Sequence, residues 1–455
     1  MKALVLAVFV APLCVCAEMT LEEAESLALS CNKQYLIAQE STTQAKERKK
    51  QAVSSFLPRI QYRAEFHDAE KPELFLNTFT PRRPYGFSHQ GYLSTLELQQ
   101  TVFSTDLIFG LMSRDIEMEV YQLEQANTKN ELLRAVRQRY YAVVYYENAL
   151  QIARENVDYL GFALQQEEGR LSAGSATTLE VNQSKVAVAN AISQYYDVLK
   201  ELKRARNNLV FTLGMEPLLE PNLQLAEKNF PLGAIPEIAR RIQELDAQKQ
   251  WCFTDHLTLF TPQDSNRFLD LALTHRPDLK AAKYQVSVAE KNVQTKQGNY
   301  LPKISGYVRL SYNDDQLGLN RFGAEQYNWT AGIRLTWTLF DSLLREHEIR
   351  EAKSIRAATR IGFDREYQKV ELEVRNDLYL FEESLLTYYS SSEAVLLAEQ
   401  AREQAKDKLE FGRIPPLDYR DAVNQLAQAK NRRNKACLDL ISAHYDLRYA
   451  IGQDI

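Results

Sequence analysis

The chain contains itself twice. LALSCNKQYLIAQ at 27–39 answers LALTHRPDLKAAK at 271–283, and FLPRIQY at 56–62 answers YLPKISG at 300–306, both at an offset of 244 residues. Further along the offset is 238: Val136 and Arg137 answer Val374 and Arg375, Tyr141 answers Tyr379, Gly174 answers Gly412, and Gly214 answers Gly452. A repeat of this kind sets the whole fold, because both halves must build one supersecondary unit. The halves are 18–216 and 263–455, joined by a proline-bearing connecting segment at 217–262 with short elements only. The offset changes between Pro58 and Phe103, so a loop there differs in length between the halves.

Each half reads helix, strand pair, long helix, turn, helix. Thr20 followed by Glu23 is a capping box, and Leu21, Ala24, Leu27 and Ala28 share one helical face. Pro58 and Pro302 end these first helices. The period then becomes two. Trp329, Ala331, Ile333, Leu335, Trp337 and Leu339 alternate with Thr330, Gly332, Arg334, Thr336 and Thr338. The hairpins are expected at 59–103 and 303–340. Next come Pro-free stretches at 106–171 and 341–411, each about 100 Å long at 1.5 Å per residue, and return helices at 175–213 and 417–451. Leu133, Val136, Tyr140 and Val143 alternate steps of three and four, the spacing of coiled coils. Tyr140, Tyr141, Tyr145 and Tyr146 then read as interhelical packing.

Residues 1–17 read as a secretory leader: Lys2, an apolar run at 3–13 too short for the about 20 residues a bilayer needs, and small residues before a cut after Ala17. Lipid attachment at Cys16 is the alternative. Cys31, Cys252 and Cys437, an odd number at wide spacing, form neither disulfide framework nor metal site. A net charge of −5 with both signs dispersed argues against nucleic acid. The six His are scattered, and no HExxH, GxSxG, GxGxxG or phosphate loop occurs, so no enzyme and no cofactor are expected.

The strands have two readings. A half-buried sheet on a soluble core would make the chain a periplasmic coiled-coil scaffold without a pore. Spanning strands need about 9–11 residues, close to these runs, and would set Trp329, Ile333, Leu335, Trp337 and Leu339 against lipid. Four strands cannot close a barrel alone, and an open edge in lipid leaves backbone groups unpaired. Spanning therefore requires two, three or four copies sharing one barrel.

The order helix, Leu-Pro, strand pair, TVFSTD or TLFDSL, long helix, Gly turn, helix, twice over, resembles the TolC-like outer membrane efflux proteins along nearly the whole chain from Thr20 to Gly452. The resemblance implies a mostly α fold with a small transmembrane β part. It implies a homotrimer with four strands per chain in a 12-stranded barrel, continued by an α-helical tunnel across the periplasm. A periplasmic adaptor and an inner-membrane pump would be the partners, with drug efflux and protein export both open. The turns at Gly174 and Gly412, the latter followed by Pro415 and Pro416, would be the periplasmic tips. The family's tip acids fall six and nine residues after the second glycine, at Asp418 and Asp421, with Glu180 the first-half counterpart. Helix capping and dipole compensation are their competing role. The family's tyrosine-and-arginine latch is not matched: Leu409 and Ile414 stand there, with Arg413 one position away. Arg170, Leu171, Ser172, Lys408 and Arg413 are the candidates for adaptor contact. Only the second tip carries prolines, so the tips are expected to differ in stiffness.

Overall fold

The computed structural model describes residues 18–68, 90–216, 224–248, 262–314, 327–411 and 413–452. The expected leader at 1–17 with Cys16, Gly412, Cys252, residues 69–89 and 315–326 between the strands, and parts of the connecting segment lie outside them. The helices are α1 (Leu21–Cys31), α2 (Lys33–Ser54), α3 (Thr105–Ser172), α4 (Thr178–Thr212), α5 (Pro236–Gln248), α6 (Pro262–His275), α7 (Pro277–Gly298), α8 (Leu344–Glu410) and α9 (Pro416–Ala450). The strands are β1 (Arg59–Asp68), β2 (Gln90–Phe103), β3 (Lys303–Asp314) and β4 (Tyr327–Thr336). Among the described residues no helix is long and apolar enough to cross a membrane.

The chain forms two compact units that cut across the repeat. One holds residues up to Gln39 with Glu124–Leu279 and Glu366–Ile455; the other holds Glu40–Leu123 and Lys280–Arg365. Each draws on both halves.

In the first unit the coiled-coil spacing becomes a core. Val136, Tyr140, Val143, Leu209, Val374 and Leu440 are all buried in one apolar cluster. Two of the four tyrosines do more than pack. The Tyr140 hydroxyl donates to the Met19 carbonyl at 3.0 Å, and the Tyr141 hydroxyl to Glu227 at 3.2 Å. They hold the start of the chain and the connecting segment, which meet in a parallel bridge between Met19 and Leu225. The capping box at α1 forms as expected: Thr20 Oγ1 accepts from Glu23 N, and Glu23 Oε2 accepts from Thr20 N.

The first helix, expected to run unbroken to Pro58, is instead broken at Asn32, and the break recurs between α6 and α7 at Arg276. Asn32 leaves the helix at ψ 121°; its Oδ1 accepts from Gln34 N and Tyr35 N, and its Nδ2 donates to Thr212 O at 2.8 Å. Arg276 Nη1 donates to Ala450 O at 3.3 Å, the same bond one repeat later. Beside each break stands a glycine in the left-handed region, Gly214 at φ +84° and Gly452 at φ +67°. A Cβ on Gly214 would lie 2.4 Å from the Cys31 carbonyl oxygen, and one on Gly452 2.8 Å from the Arg276 nitrogen. Each return helix thus ends against the broken first helix of its own half, at a contact only glycine permits.

The second unit carries a four-stranded antiparallel sheet ordered β1-β2-β3-β4. Thr105, at the start of α3, donates through Oγ1 to Gly298 O at 2.7 Å, joining the β2–α3 junction to the end of α7. The second junction differs: β4 stops at Thr336, three residues before Leu339, and Ser342 and Leu343 take positive φ before α8 begins. Arg345 fastens this turn, ion-paired to Asp341 at 2.6 Å and stacked 4.8 Å over the Tyr300 ring.

Candidate functional site

The sheet's register sorts its side chains by chemistry. One face carries rows such as Ile60, Leu98, Val308 and Ala331, then Tyr62, Leu96, Leu310 and Trp329. The other carries Gln61, Glu97, Arg309 and Thr330, then Arg63, Thr95, Ser311 and Asn328. On that polar face Arg309 pairs with Glu97 at 3.1 Å, and the Arg334 guanidinium stacks 4.8 Å over Tyr307. No strand residue whose burial is described is buried, and the apolar row is open: Trp329 is 70% and Ile333 79% exposed. A sheet on a soluble core would bury one face. The scaffold reading required that burial and is not favoured.

Of the five expected lipid-facing residues, Trp329, Ile333 and Leu335 sit on β4 and are exposed. Trp337 and Leu339 fall beyond the strand, also exposed, with Trp337 Nε1 donating to Tyr300 O at 3.0 Å. Alternation continued in sequence past the point where β3 could pair.

The first tip is closed by backbone geometry. Gly174, at φ +76°, donates to Leu171 O, and Ser175 N donates to Arg170 O at 2.8 Å, a Schellman closure. Thr177 then caps α4 in a capping box with Glu180. Thr177's backbone and hydroxyl hold the Glu180 carboxyl below the ordinary range. The signal was legible as Thr-x-x-Glu at 177–180. Arg170, an adaptor candidate, turns inward to Ser175 O at 3.4 Å, while Leu171, Ser172, Lys408 and Arg413 are exposed.

The second tip repeats the closure, with Arg413 N donating to Lys408 O at 2.7 Å. The prolines start a helix: Pro415 is the N-cap of α9 and Pro416 its first residue, where fixed φ is an advantage. Leu409 and Ile414, at the unmatched latch positions, pack against a buried cluster of Leu160, Ala163, Ala191, Tyr419 and Val423. Ile414 and Tyr419 occupy the N′ and N4 positions of a hydrophobic staple. Asp418 and Asp421, flanking Tyr419, are both exposed, and Asp418 lies in the first turn. Capping geometry therefore accounts for Glu180, and dipole compensation is open to Asp418; Asp421 lies beyond the first turn.

The first unit also holds a charge cluster that sequence reading missed. Arg134 pairs with Asp446 at 2.5 Å, and Arg276 with Asp278 at 2.6 Å and Glu373 at 2.7 Å. Burial, then the neighbouring Asp446 and Glu373, push Asp377 from an ordinary 3.8 up to about 6. A raised carboxyl stabilises the fold below pH 4 and loses that contribution as pH rises through 6. Asp377→Asn is accordingly expected to leave stability at pH 3.5 unchanged and raise it at pH 7.5, by at most about 3 kcal/mol. Denaturant titration at the two pH values checks this.

Long helices in a duplicated chain, carrying a sheet apolar on one face and charged on the other, define a membrane-sheet protein built from two like halves. The chain belongs to the outer membrane efflux protein family, which matches residues 24–215 and 268–453, and it is an outer-membrane protein. The pyoverdine export outer membrane protein OpmQ of Pseudomonas aeruginosa is 26% identical over 242 residues, 51% of this chain and 45% of OpmQ; the match thus spans about half of that relative. The fold is that of the outer membrane protein VceC of Vibrio cholerae, with TM-score 0.75 and 16% identity over 95% of this chain and 96% of that one. The Campylobacter jejuni CmeC outer membrane channel matches with TM-score 0.75 and 15% identity, over 95% and 85%.

Proposed function

We propose that the chain is the exit duct of a tripartite export system, three copies closing one 12-stranded barrel through the outer membrane. The observation that carries this is the exposed two-faced sheet. Its apolar rows need lipid and its charged rows need water, and only a closed barrel supplies both while pairing every backbone group. A periplasmic adaptor at the tips and an inner-membrane pump supply the drive. Likeness to a pyoverdine exporter favours small-molecule over protein cargo. Membranes extracted with and without detergent test the reading: an oligomer soluble only in detergent and dissociated by heat is expected, and a monomer in the aqueous fraction would end it.

The exposed Asp418 and Asp421 form, in three copies, a ring of carboxylates at the tip that selects cations. Asp418→Ala with Asp421→Ala is expected to abolish cation preference in single-channel reversal potentials. Unchanged selectivity would leave helix-dipole compensation as their role.

A further inference from the structure

The sheet has two open edges, β1 and β4, and the repeat says how they join. β1 maps onto β3 by the offset of 244, and β2 onto β4 by 237. The two hairpins agree on this to the residue: Ile60 pairs with Leu98, and their counterparts Ile304 and Leu335 pair with each other. The β2–β3 seam is then a template for β4 against β1 of a second copy. On the polar face that seam holds the ion pair Glu97–Arg309 at 3.1 Å. Carried over by the same offsets, Glu97 becomes Arg334 and Arg309 becomes Glu65. The ion pair returns with its two signs exchanged.

We propose that Arg334 pairs with Glu65 of a second copy, directly opposite across a β4–β1 seam, and that this contact sets the register in which the barrel closes. The proposal rests on the trimer reading above. Among the described residues neither side chain has an ion-pair partner, and Arg334 lies only over the Tyr307 ring of its own chain. The same register sets Leu335 opposite Ala64 and Trp337 opposite Tyr62, keeping apolar with apolar. A slip of one residue would turn Glu65 to the lipid face. A slip of two would set Arg334 against Arg63 or His67, a like-charge pair or none.

The seam also explains why β4 is short. β2 continues past a bulge between Thr101 and Phe103 and pairs Phe103 with Ile304. The counterparts are Phe340 and Ile60 of the second copy. Residues 337–340, outside β4 in the single chain, become strand on the neighbour's β1.

Paired cysteines in a chain with Cys31, Cys252 and Cys437 replaced test the register. Glu65→Cys with Arg334→Cys should crosslink on oxidation into dimer- and trimer-sized bands in denaturing gels, and Arg63→Cys with Arg334→Cys should not. Charge reversal is the second arm. Glu65→Arg alone and Arg334→Glu alone should lower the temperature at which the oligomer dissociates, and the double reversal should restore it. If the oligomer forms but the Arg63 pair crosslinks instead, or the double reversal rescues nothing, the register is wrong while the trimer stands. If the unaltered chain forms no oligomer, the trimer reading falls and the register with it.

Discussion

Replacing Gly214 or Gly452 with alanine is expected to destabilise the first unit strongly. Two effects add. Both glycines have positive φ, where a Cβ costs about 1–2 kcal/mol. Both also meet backbone rather than a yielding side chain, 2.4 Å away at Gly214 and 2.8 Å at Gly452, so overpacking adds about 1–3 kcal/mol. Gly174→Ala isolates the first effect, because Gly174 has φ +76° but open space around its Cβ position. Urea denaturation should rank Gly214→Ala and Gly452→Ala about 2–5 kcal/mol below the parent and Gly174→Ala only about 1–2 kcal/mol below it. Equal losses at all three would mean that the helix breaks at Asn32 and Arg276 are not packed as described.

The second large effect is expected at neighbouring residues of β3. Leu310 lies on the apolar row with Leu96 and Trp329, and Ser311 on the polar row with Thr95 and Asn328. An arginine on a lipid face costs about 2–4 kcal/mol at the bilayer midplane, whereas a lumen position tolerates it. In a trimer the cost is incurred three times in one barrel. Leu310→Arg should therefore lose the heat-sensitive oligomer from the membrane fraction, and Ser311→Arg should keep it while changing conductance. Similar behaviour of the two variants would mean the faces are misassigned.

Local chemistry made much of this legible from residues alone. The Thr20–Glu23 capping box, the Leu-Pro helix ends and the strand alternation each depend on a few neighbouring positions, and the repeat tested the last two twice. What stayed hidden depended on contacts distant in sequence. Asn32 is an amide and Arg276 a guanidinium, yet each donates an N–H to a carbonyl of its own return helix. The paired glycines at 214 and 452 were visible as repeat mates, but not the backbone they approach. Alternation through Trp337 and Leu339 overran β4 because a single chain offers those residues no partner strand. Thr177 and Glu180 carry the local spacing of a capping box, which leaves a pore role for Glu180 to contacts beyond its own helix.

A conducting trimer is tested by the current across a planar lipid bilayer holding the purified, detergent-extracted oligomer. Discrete, long-lived conductance steps with cation preference are expected, lost after heating to monomer. A preparation that inserts without conductance steps, or that purifies as a water-soluble monomer, would contradict it.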